Sequence, residues 1–365
     1  MAGMRPTDPA VLEIDLAAIA ANWRALAARH PGGAVAGVVK ADAYGLGAAQ
    51  VAPALHAAGC RHFFTAHLAE ALAIRPLLPG AMLGVLNGLL PGDEALCAEH
   101  GITPALGSLD EIARWTATAQ AAGRRLPALL HVDTGMNRLG LDAAAIAALA
   151  ADPRPLAGLE LHYVMTHLVA AEIADDLHNA AQRARFAAAC ARLPAAPRSL
   201  ANSSGIFLGP DFASDLARPG AALYGINPTP GMPNPMRPAV RLRARVLQTR
   251  MLAPGESVGY NATWVATRAS RIAVVGVGYA DGWLRSQSGR GHAVFDGAPA
   301  PLVGRVSMDL VTYDVTDLPR LGVGDWLDLI DHADRTPDAV AEAARTNGYE
   351  VLTSLGRRYR RVYRA

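Results

Sequence analysis

From about residue 34 to 225 the chain repeats one pattern, a short apolar or β-branched run followed by an Ala/Leu-rich stretch with helical spacing. The runs are Ala34–Val39, His62–Ala66, Met82–Leu86, Ile102–Leu106, Ala128–Val132, Leu159–Val164, Ser199–Asn202 and a region near Arg218–Tyr224. Helices are expected between them, over 45–58, 108–122, 142–151 and 178–192. About eight β-then-α units in roughly 200 residues fit a closed (β/α)8 barrel better than an open sheet. The pattern then stops. Pro228, Pro230, Pro233, Pro235 and Pro238 crowd one short segment, which can continue neither a helix nor a central strand. Beyond it, Val240–Arg250, Arg271–Val277, His292–Phe295 and Leu310–Val315 read as strands, with one good helix near 337–347. The expected fold class is α/β + β: an N-terminal TIM-like barrel over 11–230 and a C-terminal mostly-β domain over 236–365. Residues 1–16 are expected to pack with the β-domain.

Composition narrows what such a chain can do. Charged residues are 18% and the formal charge is +2, which excludes a disordered protein and gives no global attraction for polyanions. Cys60, Cys97 and Cys190 are odd in number and far apart, indicating neither a disulfide framework nor a zinc site. The N-terminus lacks a signal-like apolar stretch and no uncharged run reaches the length of a membrane span. The expectation is a cytoplasmic protein with no metal, membrane or nucleic-acid partner.

One lysine stands among the 34 basic residues, Lys40; the other 33 are arginine. Drift from lysine toward arginine explains most of that count, and the survivor marks a position where arginine does not serve. Lys40 ends the first barrel strand, in Gly37-Val38-Val39-Lys40-Ala41-Asp42-Ala43-Tyr44-Gly45-Leu46-Gly47, at the face where barrel active sites are built. A primary amine can condense with a carbonyl carbon and later act as a base; a guanidinium does neither. Asn202-Ser203 and Arg218-Pro219-Gly220-Ala221 fall near the ends of the seventh and eighth strands, where hydroxyl and backbone N–H groups of Gly-containing loops commonly hold phosphate.

The lysine segment resembles the cofactor-lysine motif of alanine racemases, enzymes dependent on pyridoxal 5′-phosphate (PLP). The likeness recurs in order along nearly the whole chain, in Leu12–Asp15 and Asn22, His131–Gly140, Ala201–Ser204, Arg218–Gly225, Val258–Trp264, Gly278–Gly282 and Val303–Asp309. It implies that Lys40 carries PLP, that Tyr44, Ser203, Gly220 and Ala221 hold the phosphate, and that Arg218 faces the ring nitrogen with His167 beside it. An arginine there cannot accept a proton, so the ring becomes a weaker electron sink, which suits racemisation.

Racemisation removes a proton from one face of Cα and returns one to the other, so two bases must flank the substrate. By resemblance these are Lys40 and Tyr260, the latter supplied by the other subunit of a homodimer. A free tyrosine has a pKa near 10 and needs cationic or hydrogen-bonding help, for which His167 is the implied candidate. Arg138, whose guanidinium fork suits the substrate carboxylate or the phenolate of Tyr260, and Met308, through its backbone N–H in trans, are the implied substrate contacts, and Tyr279 is implied to narrow the access path. One departure stands out. Many alanine racemases carry a carbamylated lysine where this chain has His131, and imidazole cannot supply that negative charge. A bound anion such as chloride, or a neutral acceptor, would have to substitute.

The tail Arg357–Arg364 is basic and aromatic, and the expectation is a final edge strand rather than a nucleic-acid site. The resemblance implies two-base interconversion of L- and D-alanine, supplying D-alanine for peptidoglycan. Alternatives are a serine or broad-specificity racemase of the same fold, a non-catalytic PLP carrier, and a two-domain decarboxylase. Tyr260 and Met308 speak against the carrier, and Arg218 against the decarboxylase.

Overall fold

The structure is a computed structural model that describes residues 8–365. The part of the expected N-terminal packing that falls on residues 1–7 therefore lies outside the described residues. The strands, in chain order, are β1 (Ala10–Asp15), β2 (Ala34–Val35), β3 (Gly37–Val38), β4 (His62–Thr65), β5 (Met82–Val85), β6 (Thr103–Leu106), β7 (Leu126–His131), β8 (Leu159–Met165), β9 (Arg198–Ser199) and β10 (Leu216–Ala217). They continue as β11 (Val240–Leu252), β12 (Ser257–Val258), β13 (Trp264–Val265), β14 (Ser270–Val275), β15 (His292–Phe295), β16 (Ala298–Pro301), β17 (Val311–Asp314), β18 (Trp326–Ile330) and β19 (Arg360–Arg364).

Strands β3 to β9 form a seven-stranded sheet whose neighbours are all parallel, and β10 pairs in parallel with β2, the first half of the β2–β3 strand. Backbone bonds close the ring. Ala36 N–H donates to Ala217 O at 2.9 Å on one side of the eighth strand, and Arg218 N–H donates to Ala201 O at 2.8 Å on the other. Ala36, Val38, Phe64, Ala105, Leu129, Met165 and Leu216 pack together as the barrel's own small core. The expected eighth strand near Arg218–Tyr224 needs correction. The strand is Leu216–Ala217, because Pro219 cannot donate to a ladder and Ala221–Tyr224 winds into a 3-10 turn instead.

The second sheet has eight strands, ordered β16-β15-β18-β11-β1-β19, with β14 and β17 branching from β11. β1, from the N-terminal end of the described chain, lies between β11 and β19 and so joins this sheet, not the barrel. The basic tail forms β19, at the end of the sheet. Its side chains turn back onto the barrel: Arg361 donates to Gly45 O and Tyr363 OH to Leu46 O at 3.1 Å. The proline segment is fastened as well. Asn22, 1% exposed on the helix Leu16–Arg29, donates to Arg237 O at 2.9 Å and accepts from Arg237 N–H at 2.7 Å. The helix expected near 337–347 is Pro337–Ala344, and a second, Gly348–Ser354, follows it. Arg345 adopts a left-handed conformation that ends the first, and Asn347 Oδ1 caps the second through Glu350 N–H at 2.8 Å.

Candidate active site

Every barrel residue singled out in the sequence stands at the C-terminal rim. Lys40 follows β3, His131 ends β7, His167 follows β8, Ser203 follows β9, and Arg218, Gly220 and Ala221 follow β10. Lys40, Tyr44, Arg138, His167, Ser203, Arg218, Gly220 and Ala221 line one cavity of about 450 Å³. A larger cleft of about 710 Å³ opens at the opposite end of the barrel, beside Pro31 and Asp215. Arg183 there pairs with Asp211, Asp215 accepts the backbone N–H of Arg198, and none of the residues singled out in the sequence lines it.

At one end of this cavity the donors suit a phosphate. Ser203 Oγ accepts from Gly220 N–H at 3.0 Å and Ala222 N–H at 3.2 Å. With its lone pairs engaged, its own O–H is left to donate. Tyr44 packs so closely on Gly220 that a Cβ there would stand 2.1 Å from the tyrosine hydroxyl, so only glycine keeps this cradle. Burial pushes the Tyr44 phenol up from its ordinary value, keeping it a neutral donor. Arg218, 4% exposed, spends its terminal nitrogens on Ser199 Oγ and Thr166 O. Burial lowers it to about 10, which leaves it cationic at neutral pH and without a carboxylate partner among the described residues.

Lys40 is lowered as well. Burial lowers its amine, the Arg138 and Arg218 cations add to that, and only Glu70 opposes. The peptide after it is unusual: Ala41, Asp42, Ala43 and Tyr44 have φ of 52, 54, 54 and 55°, a left-handed turn built from non-glycine residues. Each such residue costs about 1–2 kcal/mol, so strain is concentrated beside the Lys40 amine.

His167 is pushed down to about 3 by burial and by the cations Arg218, Lys40 and Arg138, and His131 to about 4 by burial and Arg218. Both are neutral at pH 7, so His131 supplies no anion to orient Arg138. No carboxylate pairs with Arg138 among the described residues. The loop carrying it is nonetheless fixed, because Asp133 Oδ1 accepts from the N–H groups of Gly135, Met136 and Asn137 at 2.8, 3.0 and 3.2 Å. Gln182, 1% exposed, ties this loop to the next by donating to Thr134 Oγ1 at 3.0 Å and to His167 O at 2.9 Å.

The C-terminal candidates are elsewhere. Tyr260, Met308 and Tyr279 are 65%, 53% and 43% exposed, and none lines the cavity of its own chain. They belong to one surface: Tyr279 N–H donates to Ser307 O at 3.0 Å and Ala280 N–H to Met308 O at 2.9 Å, while Gly259 lies against Arg305 and Gly304. Arg358 locks two of these loops by reaching Asp281 at 2.6 Å and Asp309 at 2.8 Å.

The structure adds residues that sequence reasoning did not find. Tyr349 and Thr353, on the helix Gly348–Ser354, also line the cavity. The signal available was Asn347 with Glu350 three residues on, a capping pattern that starts a helix. Glu70, which bonds the N–H of Ala41 at 2.6 Å, was also missed.

Known proteins resemble this chain in sequence and fold. The family models "Alanine racemase, N-terminal domain" and "Alanine racemase, C-terminal domain" match residues 14–228 and 239–363. An alanine racemase from Acidiphilium cryptum is 60% identical over 97% of this chain and 98% of its own length. The alanine racemase structure from Bartonella henselae with covalently bound pyridoxal phosphate is 42% identical, with a TM-score of 0.94 over 98% of this chain and 99% of that one. The biosynthetic alanine racemase of Pseudomonas aeruginosa is 35% identical, with a TM-score of 0.90 over 98% of this chain and all of its own. With both halves matched and the order of motifs kept, the chain belongs to the alanine racemase family.

Proposed function

We propose that this chain is a PLP-dependent alanine racemase that works as a cytoplasmic homodimer, interconverting L- and D-alanine and supplying D-alanine for peptidoglycan. The observation that carries the reading is the joint placement of the only lysine, a phosphate-suited cradle and a buried uncompensated arginine around one cavity. PLP, when bound, supplies an electron-withdrawing ring that acidifies the Cα–H of the attached amino acid. Ser203, Tyr44, Gly220 and Ala221 hold the phosphate, joined by Tyr349 from the C-terminal helix. Arg218 would face the ring nitrogen and, as a guanidinium that keeps its protons at neutral pH, would leave that nitrogen unprotonated. Neutral His167 stands next to Arg218 and donates no charge to the site.

Lys40, its amine favoured in the neutral form by burial and two arginines, takes or returns the proton on one face of Cα. Tyr260 of the partner subunit serves the other face. The exposure of Tyr260, Met308 and Tyr279 on one surface supports this arrangement, because residues unused in their own chain are available to a two-fold mate. Arg138 and the Met308 N–H receive the substrate carboxylate. The division falls at the proline segment, with the barrel ending near 230 and the β-domain over 236–365, joined by β1 (Ala10–Asp15) from the N-terminal side. No described helix is long and apolar enough to cross a membrane.

The test is turnover of L-alanine to D-alanine by purified protein supplied with PLP, run beside L-serine and larger amino acids. Alanine is expected to be the preferred substrate. Turnover of serine or a bulkier amino acid without turnover of alanine would replace the assignment with a racemase of other specificity; PLP binding without any turnover would point to a carrier.

A further inference from the structure

Ala41–Tyr44 is the only run of more than two consecutive positive-φ non-glycine residues among the described residues, and it begins at the peptide that follows Lys40. Its far end is held by Asp42, whose Oδ1 accepts the Ala48 N–H at 2.7 Å, and by the tail through Arg361 and Tyr363. Its near end is held by one side chain. Glu70 is the third residue of the helix Leu68–Ile74 and makes an ordinary capping box, Oε2 accepting from Ala66 N–H at 2.8 Å and His67 N–H at 3.1 Å. Its other oxygen leaves that helix. Oε1 accepts the Ala41 N–H at 2.6 Å, 29 residues away. A capping role alone uses one oxygen, and the second bond points to a duty toward the lysine.

We propose that Glu70 is a positioning residue for Lys40, fixing the peptide immediately after the reactive amine and setting a negative charge behind it, opposite the Arg138 and Arg218 cations. The proposal rests on reading Lys40 as the reactive amine. Lys40 shares its cavity with Arg138, Arg218, His167, Tyr44, Glu172 and Tyr349, and the charges that act on its amine are those of Arg138, Arg218 and Glu70. Glu70 is the one whose charge favours the ammonium form, so deleting that charge shifts the balance toward the neutral amine. Glu70→Gln keeps an acceptor oxygen and removes the charge. Glu70→Asp keeps the charge and shortens the reach by one methylene.

Because the chain has one lysine, reaction of the full-length, cofactor-free protein with dinitrofluorobenzene across pH, read on the Lys40 peptide by mass spectrometry, follows that amine alone. Glu70→Gln is expected to lower the midpoint by about half a unit or more. With saturating PLP its kcat falls about tenfold while KM for alanine stays within about twofold. Glu70→Asp is expected to keep the wild-type midpoint and still lose kcat, through the displaced peptide. It also serves if the glutamine variant does not fold. An unchanged midpoint and kcat in Glu70→Gln, or an unchanged kcat in Glu70→Asp, would reduce Glu70 to a helix cap and overturn the proposal. Borohydride reduction of the PLP-loaded wild type reports separately on the functional reading. Failure to fix cofactor on Lys40 would sink that reading while leaving the labelling midpoints interpretable.

Discussion

The barrel and the β-domain contribute to the site in opposite ways. The barrel's share converges within a single chain: Lys40, Ser203, Arg218 and Gly220 line one cavity and are locked by strand ends, a left-handed turn and buried side-chain bonds. The β-domain lends Tyr349 and Thr353 to that same cavity, but its other candidates, Tyr260, Met308 and Tyr279, are held by their own loops and stand exposed away from it. A site half can thus be preorganised without being assembled. On the proposed reading the barrel half would bind the cofactor, and the exposed half would complete the chemistry only in a second copy.

Substitutions should separate the two halves. The largest effect is expected for Lys40→Ala in the barrel, a loss of about a thousandfold or more in racemisation in both directions. Retention of a tenth of wild-type turnover would remove Lys40 from the chemistry. Tyr260→Phe should lower exchange of the Cα proton of L-alanine with solvent deuterium by about 10²–10⁴. It should leave exchange from D-alanine and cofactor uptake far less affected. Equal loss in both directions would contradict a one-sided role for the exposed half. Ser203→Ala should act on binding alone, weakening PLP about 5–10-fold, equivalent to about 1–1.5 kcal/mol, with kcat at saturating cofactor preserved. A fluorescence titration reads this directly.

A smaller effect distinguishes the barrel by pH. His131 and His167 sit at about 4 and about 3 in the folded chain, below the ordinary value of about 6.5 that they regain on unfolding. The unfolded state therefore binds more protons as pH falls below about 6.5, and stability is lost down toward the folded values. The thermal midpoint of the cofactor-free protein should fall across that window, and His131→Asn should flatten the slope. An identical slope in the variant would mean that His131 takes up its proton without unfolding.

The halves also differed in legibility. The barrel rim could be read because a strand end and a Gly-rich turn are local features, and because one lysine among arginines draws attention to Lys40. Even so, the eighth strand was misplaced, since two residues of β-structure before a proline leave no periodic trace. Tyr349 and Glu70 were invisible for a different reason. Tyr349 reaches the cavity from more than a hundred residues beyond Ser203 and Arg218, and Glu70 acts through one bond to a backbone N–H. Neither tertiary contact has a sequence pattern. For Tyr260 the residues alone suggest only a tyrosine of a β-domain; its role was read from a resemblance, and the single chain does not bring it to Lys40.

The most direct measurement is complementation between the halves. Lys40→Ala and Tyr260→Phe protomers, each nearly inactive in L-alanine racemisation, are mixed, unfolded, refolded together and assayed with PLP. If the site is shared, each mixed dimer regains one wild-type site, Lys40 from one chain and Tyr260 from the other, and random pairing restores about a quarter of wild-type activity. Activity no higher than the sum of the two separate variants, with mixed dimers demonstrably formed, would contradict the account.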